Sequence, residues 1–209
     1  MPVALVIEAV NASWEALLKL DAGIVVWLNQ GVGRFPPLDY LVYLLVSDYS
    51  VPVAMSLWLL GLWFTGRDAP DRERNQRAVL QAALAVGFAA LLVVISNQFF
   101  FRERPFVHHE VANLLYAPTD SSFPANPAAV SFALAAGVWM RNRRASLALF
   151  LLAFLWVFTR VVNGVYYPSD VLAGAGMGVL GAVSSGLVLQ RMEPIPTWFL
   201  RWGRLLHLA

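Results

Sequence analysis

Four polar clusters stand at the ends of apolar stretches in this chain, and their residue types suit an anion. Arg104-Pro105 follows a long apolar run, and Phe123-Pro124-Ala125-Asn126-Pro127 precedes a short one. Arg160 closes a third run, and Asp170 opens a fourth after the turn Gly164-Val165-Tyr166-Tyr167-Pro168. Arginine at the edge of a bilayer is costly unless paired or hydrated, so its default reading is a residue lining a cavity. Two guanidinium forks, Arg104 and Arg160, with the free N–H groups of a helix beginning at Asn126, would make a phosphate clamp. The same spacing also fits a structural ion pair between Arg160 and Asp170, with Arg104 snorkelling to the surface. Spacing alone leaves both open.

The elements that must position these residues are set by composition. Of 209 residues, 59% are hydrophobic and 13% charged, with a mean hydropathy of +0.62. A soluble domain carries about 25% charged residues, so lipid must be the solvent for much of this chain. Four stretches qualify as spans. They are Leu38–Phe64, interrupted by Asp48 and Pro52; Ala78–Phe101, without a charge; Ala145–Thr159, continuing past Arg160 to Val162; and the uncharged Val171–Leu189. A fifth, Pro127–Met140, has the length of a buried core helix or a re-entrant segment, but the loop charges argue that it crosses. If it does, Arg67, Arg72, Arg74, Arg77, Arg141, Arg143, Arg144, Arg191, Arg201 and Arg204 all lie on one face. The positive-inside rule makes that face cytoplasmic and places loops 102–125 and 163–169 outside.

The expected fold is therefore an all-α integral membrane protein of five or six transmembrane helices, with an interfacial helix at each end. Residues 1–37 form an N-terminal amphipathic segment, with Trp14, Leu17, Leu18, Val25 and Leu28 on one side, ended by Gly31-Val32-Gly33 and Pro36-Pro37. An ordinary packing helix fits that segment equally well. Residues 38–190 form the transmembrane domain. Residues 191–209 form a cytoplasmic tail in which Trp198, Phe199, Trp202, Leu205 and Leu206 repeat at helical spacing against Arg201 and Arg204, as in a helix lying in the headgroup layer. No signal peptide is expected, since Pro2–Val10 contains Glu8 and no basic residue precedes it.

Several chemistries are excluded. The chain has no cysteine, which removes disulfides, thiol catalysis and zinc–thiolate sites together. Gly176-Met177-Gly178-Val179-Leu180-Gly181 matches the dinucleotide fingerprint letter for letter. That fingerprint needs a preceding strand in a βαβ unit, whereas this one lies inside an apolar helix. Gly174 and Gly178, four apart, read instead as a close helix contact.

Taken together, the polar clusters resemble the three signature motifs of the type 2 phosphatidic acid phosphatase and vanadium haloperoxidase superfamily, K-x6-R-P, P-S-G-H and S-R-x5-H-x3-D. In motif style the chain is most similar to bacterial undecaprenyl-diphosphatases, over roughly Leu38 to Leu189. Arg104 and Pro105 fit the first motif, with Asn97 at the lysine position. In the second, Pro124 fits, while Ala125, Asn126 and Pro127 replace serine, glycine and histidine. In the third, Arg160 and Asp170 fit, while Thr159 replaces serine and Tyr166 replaces histidine.

The resemblance implies a bundle around an outward-facing cavity, and chemistry in which the third-motif histidine attacks phosphorus, the aspartate orients it, and the second-motif histidine protonates the leaving oxygen. Proline has no proton to donate, and tyrosine, with an ordinary pKa of about 10, is a poor nucleophile at neutral pH. The substitutes nearest in sequence are His108 and His109 in the outer loop, where relatives also tend to carry histidine; His207 belongs to the opposite side. The expectation is a catalytically inactive relative in the inner membrane with a vestigial site on the periplasmic face. It would bind a polyprenyl phosphate or phosphatidic acid at Arg104, Arg160 and Asn126, or serve as an accessory subunit of a membrane complex. The alternative is a divergent but active undecaprenyl-diphosphate or phosphatidate phosphatase. Neither a metal, an organic cofactor nor a nucleic acid is implied.

Overall fold

The computed structural model describes residues 3–114, 117–195, 197–198 and 200. Among the described residues there are eight helices: α1 (Val3–Asn29), α2 (Pro36–Val46), α3 (Ser50–Phe64), α4 (Ala69–Asn97), α5 (Pro105–His108), α6 (Asn126–Trp139), α7 (Arg143–Val162) and α8 (Pro168–Arg191). No strand occurs among the described residues. α4, α7 and α8 are long and apolar enough to cross a membrane, α2 and α3 together make a fourth candidate, and α6 is a shorter apolar helix.

The stretch expected as one span from Leu38 to Phe64 is broken. α2 and α3 meet at a 60° bend over Ser47–Tyr49. The bend is held from α7, where Trp156 Nε1 donates to Ser47 O at 3.0 Å and the Arg160 guanidinium pairs with Asp48. A polar residue that interrupts an apolar run thus turns the chain to reach a buried cation. α4 begins well before the expected Ala78, because Asp68 caps it by accepting from Asp71 N–H at 2.8 Å and Pro70 occupies its first turn.

α6 is the centre of the bundle, packed against α4, α7 and α8. Its inward residues are small: Ala128, Ala129, Ser131, Ala133, Ala135 and Gly137 are all buried. Small residues let backbones approach, the usual basis of helix association in lipid. α8 answers with glycines. A Cβ at Gly174 would lie 2.3 Å from Ala125 O, at Gly178 2.5 Å from Ala129 O, and at Gly181 2.6 Å from Ala85 O of α4. Gly176, on the outer face of the same helix, would meet nothing within 4 Å. The fingerprint-like run is a packing surface.

Polar side chains close the two ends of the bundle. At one end Asn142 donates to Asn75 Oδ1 at 2.8 Å, Arg141 Nε donates to Gln81 Oε1 at 3.2 Å, and Arg77 pairs with Glu73 and Glu193. The arginine-rich segments around the start of α4, the α6–α7 turn and the end of α8 gather here. At the other end lie the C-termini of α4 and α7, the N-termini of α6 and α8, and α5. α1 lies against this second end with a buried stripe of Asp21, Val25 and Asn29, flanked by the half-buried Leu18 and Leu28, while Leu17, expected on the same face, is exposed. Asn29 Nδ2 donates to Ala112 O and Val162 O, each at 2.8 Å. The Trp14 side chain, and Phe199, Trp202, Leu205 and Leu206 of the expected tail helix, lie outside the described residues.

The α8 packing predicts a contrast between two glycines. Gly181→Val drives methyl groups into the α4 backbone and should cost about 1–3 kcal/mol or more. Gly176→Ala should be neutral or stabilising by up to about 1 kcal/mol through helix propensity. Thermal unfolding of the two variants in detergent checks both signs.

Candidate functional site

The residues singled out from sequence converge on the end of the bundle that holds α5. Arg104, the N-cap of α5, is buried and fully engaged. Its Nε donates to Asp120 O at 3.1 Å, Nη1 to Val165 O at 3.1 Å, and Nη2 to both Asp120 Oδ1 at 2.9 Å and Tyr166 Oη at 3.1 Å. The guanidinium carbon stands 4.4 Å from the centre of the Tyr166 ring. Tyr166 is itself buried, and burial pushes its phenol above the ordinary tyrosine value despite the opposing pull of Arg104. It is therefore a neutral phenol at physiological pH.

Arg160, in the last turn of α7, is buried beside Trp156, with 4.9 Å between guanidinium carbon and ring centre. Nη2 pairs with Asp48, and Nε is a buried donor without an acceptor. An unsatisfied buried N–H costs about 1–3 kcal/mol, so an acceptor oxygen at that atom would be stabilising.

Asp170 lies in the first turn of α8 and is fully buried. Oδ1 accepts from Arg102 Nη1 at 2.6 Å, and Oδ2 accepts from Ser122 Oγ and from Tyr167 N–H at 3.2 Å. Arg102 also donates to Ser169 Oγ at 2.8 Å and to Asp21 Oδ2 of α1 at 2.9 Å, and its guanidinium carbon lies 3.8 Å over the Tyr167 ring. Asp21 further accepts from Ser169 N–H at 3.0 Å. A single arginine thus ties α1 and the loop after α4 to the start of α8.

Neither arginine has the partner expected of a structural pair. Arg160 takes Asp48 rather than Asp170, Asp170 takes Arg102, and Arg104 is buried rather than snorkelling. The reason is reach: Arg102 and the bend at Ser47–Tyr49 bring groups to the site that the motif spacing does not encode. Asn126 is the first residue of α6 and exposed, and Pro127, half-buried, fills its first turn. Asn97 is exposed at the end of α4. His108 is exposed and bonded to Glu103, and His109 stands edge-on to Tyr167 with ring centres 6.5 Å apart. Asp21, Asp48, Asp120 and Arg102 were not singled out as site residues from sequence. Of these, only the intrusion of Asp48 into an apolar run carried a local signal.

Comparison with known proteins places these features in context. The pattern of the PAP2 superfamily matches residues 78–192. The putative undecaprenyl-diphosphatase YbjG of Escherichia coli (strain K12) is 32% identical over 193 residues, covering 88% of this chain and 92% of that protein. Undecaprenyl-diphosphatase BcrC of Bacillus subtilis (strain 168) is 29% identical over 140 residues, covering 66% of this chain and 69% of its own. The crystal structure of Aquifex aeolicus LpxE superposes with a TM-score of 0.59 at 27% identity, covering 78% of this chain and 92% of that one.

Removing Arg102 would leave the buried Asp21 and Asp170 carboxylates without their cation. Arg102→Met should destabilise by about 3 kcal/mol, the lower end of the range for breaking a buried pair, since the arginine is partly exposed. A double-mutant cycle with Asp21→Asn should give a coupling of about 1 kcal/mol or more, read from thermal or denaturant unfolding in detergent.

Proposed function

The chain belongs to the PAP2 superfamily, and we propose that it is a non-hydrolysing member that binds a phosphorylated lipid at Arg104 and Arg160. The carrying observation is the pair of residues at the two histidine positions. Pro127 has no ionisable group to protonate a leaving oxygen. Tyr166 has its phenol accepting from Arg104 Nη2, buried and neutral. A displacement at phosphorus needs an activated nucleophile and a general acid, and these positions supply neither. His108 is engaged with Glu103 on the surface and His109 with the Tyr167 ring. Neither stands in for the missing groups.

Binding is supported by what is retained. Arg104 and Arg160 are held by buried scaffolding, and Arg160 Nε lacks an acceptor that a phosphate oxygen would provide. Relatives named as undecaprenyl-diphosphatases favour a polyprenyl phosphate or diphosphate as the ligand class. The arginine-rich end of the bundle lies opposite the site, which by the positive-inside rule supports an outward-facing site in a cell membrane crossed by the α2–α3 pair, α4, α6, α7 and α8. A second reading is favoured by the internal ion pairs: the arginines act only as clamps, and the protein is a structural member of a membrane assembly.

Purified protein should release no phosphate above background from undecaprenyl diphosphate or phosphatidic acid between pH 6 and 9. Hydrolysis abolished by Arg160→Ala would establish an active enzyme instead. Binding of a polyprenyl monophosphate should weaken at least tenfold, about 1.4 kcal/mol, in Arg104→Ala and in Arg160→Ala. Equal binding by both variants and the parent would leave the structural reading. Pro127→His with Tyr166→His should gain phosphate release that neither single change gives.

A further inference from the structure

The two proposed ligand-binding arginines are each already occupied by a carboxylate, and the two carboxylates share a property. Arg104 and Arg160 have side chains 3% and 5% exposed, whereas their partners Asp120 and Asp48 are 74% and 35% exposed. The arginines project from ordered supports, Arg160 from α7 and Arg104 from the start of α5 with backbone acceptors at Asp120 and Val165. The aspartates instead sit where the chain is not helical, Asp48 at the break between α2 and α3 and Asp120 in the segment between α5 and α6. An incoming anion therefore displaces the aspartates, not the arginines. Asp120, largely exposed, can return to water at small cost and the half-buried Asp48 at a greater one, while an uncompensated buried guanidinium costs several kcal/mol.

We infer that Asp48 and Asp120 are internal stand-ins for a phosphate, and that they select ligands bearing two negative charges on one terminal phosphate group. The selection follows from charge balance. A phosphomonoester or diphosphate end brings about two negative charges and can replace both carboxylates at once. A phosphodiester, the headgroup linkage of bulk anionic membrane lipid, brings one. Exchanging it for both aspartates leaves one buried arginine unmatched, and exchanging it for one leaves the other in competition. The site would then reject the abundant lipids around it while accepting a scarce lipid with a terminal phosphate. The unpaired Arg160 Nε adds a donor that neither aspartate satisfies and that a third phosphate oxygen can fill.

This inference rests on the phosphate-binding reading above, and the test separates the two. Farnesyl monophosphate and a short-chain phosphatidylglycerol are titrated against the detergent-solubilised full chain, its Asp120→Asn, Asp48→Asn and Arg104→Ala variants. The parent should prefer the monoester at least tenfold. Asp120→Asn, which keeps the backbone carbonyl that Arg104 Nε uses, should bind the diester at least fivefold more tightly and so narrow the preference. Unchanged or weaker diester binding by Asp120→Asn, with the parent binding the monoester and Arg104→Ala losing it, overturns the selection and leaves the phosphate site standing. Parent and Arg104→Ala binding alike removes the phosphate site and this inference with it. Should Asp120→Asn not fold, Asp48→Asn against the same two ligands decides by the same criterion.

Discussion

A guanidinium held away from water must be met by an anion, and the site end of this protein is organised around meeting three of them. Arg102 and Arg104 come from the segment between α4 and α5 and Arg160 from α7, and each meets a carboxylate from somewhere else in the chain. Asp21 recruits α1, Asp48 fixes the bend between α2 and α3, Asp120 folds the loop before α6, and Asp170 fixes the start of α8. Remove the cations and the reasons for these four placements go with them. Breaking such a pair costs more than the pair contributes when intact, because the orphaned charge remains in a poor solvent.

Within that frame the two positions that align with the motif histidines are occupied by residues that pack. Pro127 suits the first turn of a helix, where its missing N–H is no loss. Tyr166 puts an aromatic face under Arg104 and offers its hydroxyl to the same group. Both substitutions satisfy local structure. The charges proposed to bind phosphate remain, but each is paired with a carboxylate of the same chain, which gives a self-neutralised interior in place of an open cationic pocket.

The sequence announced much of this. The apolar spans within α4, α7 and α8 were legible because lipid imposes a minimum apolar length, though α4 starts earlier and ends earlier than the expected Ala78–Phe101, and Arg104, Arg160 and Asp170 stood out as charges at the ends of such runs. The glycines of α8 were legible as packing because their context lacked a strand. What could not be read was pairing. Asp48 and Arg160 are 112 positions apart, and Asp21 and Arg102 are 81 apart, so no local pattern joins them. The Arg160–Asp170 pair, one of the two readings that spacing left open, is not formed, and each residue takes a distant partner instead. The bend between α2 and α3 was likewise hidden, because its cause is a tertiary ion pair; only Asp48 and Pro52 hinted at a fault in the run. α1 was read from its apolar residues, yet its buried stripe includes Asp21 and Asn29, which a hydrophobic pattern discounts.

The glycine and alanine surfaces that join α4, α6 and α8 have a wider consequence. Backbone lies on backbone there, so the helix positions are written in residues that have almost no side chain. The residues that would react are a separate set, and the two can change independently. A fold comparison responds to the first set and is insensitive to the second. Two proteins of this architecture can superpose closely while differing in whether they contain a nucleophile at all. Shape, for such a bundle, is information about ancestry and lipid accommodation, and the proposed loss of hydrolysis turns instead on positions 127 and 166.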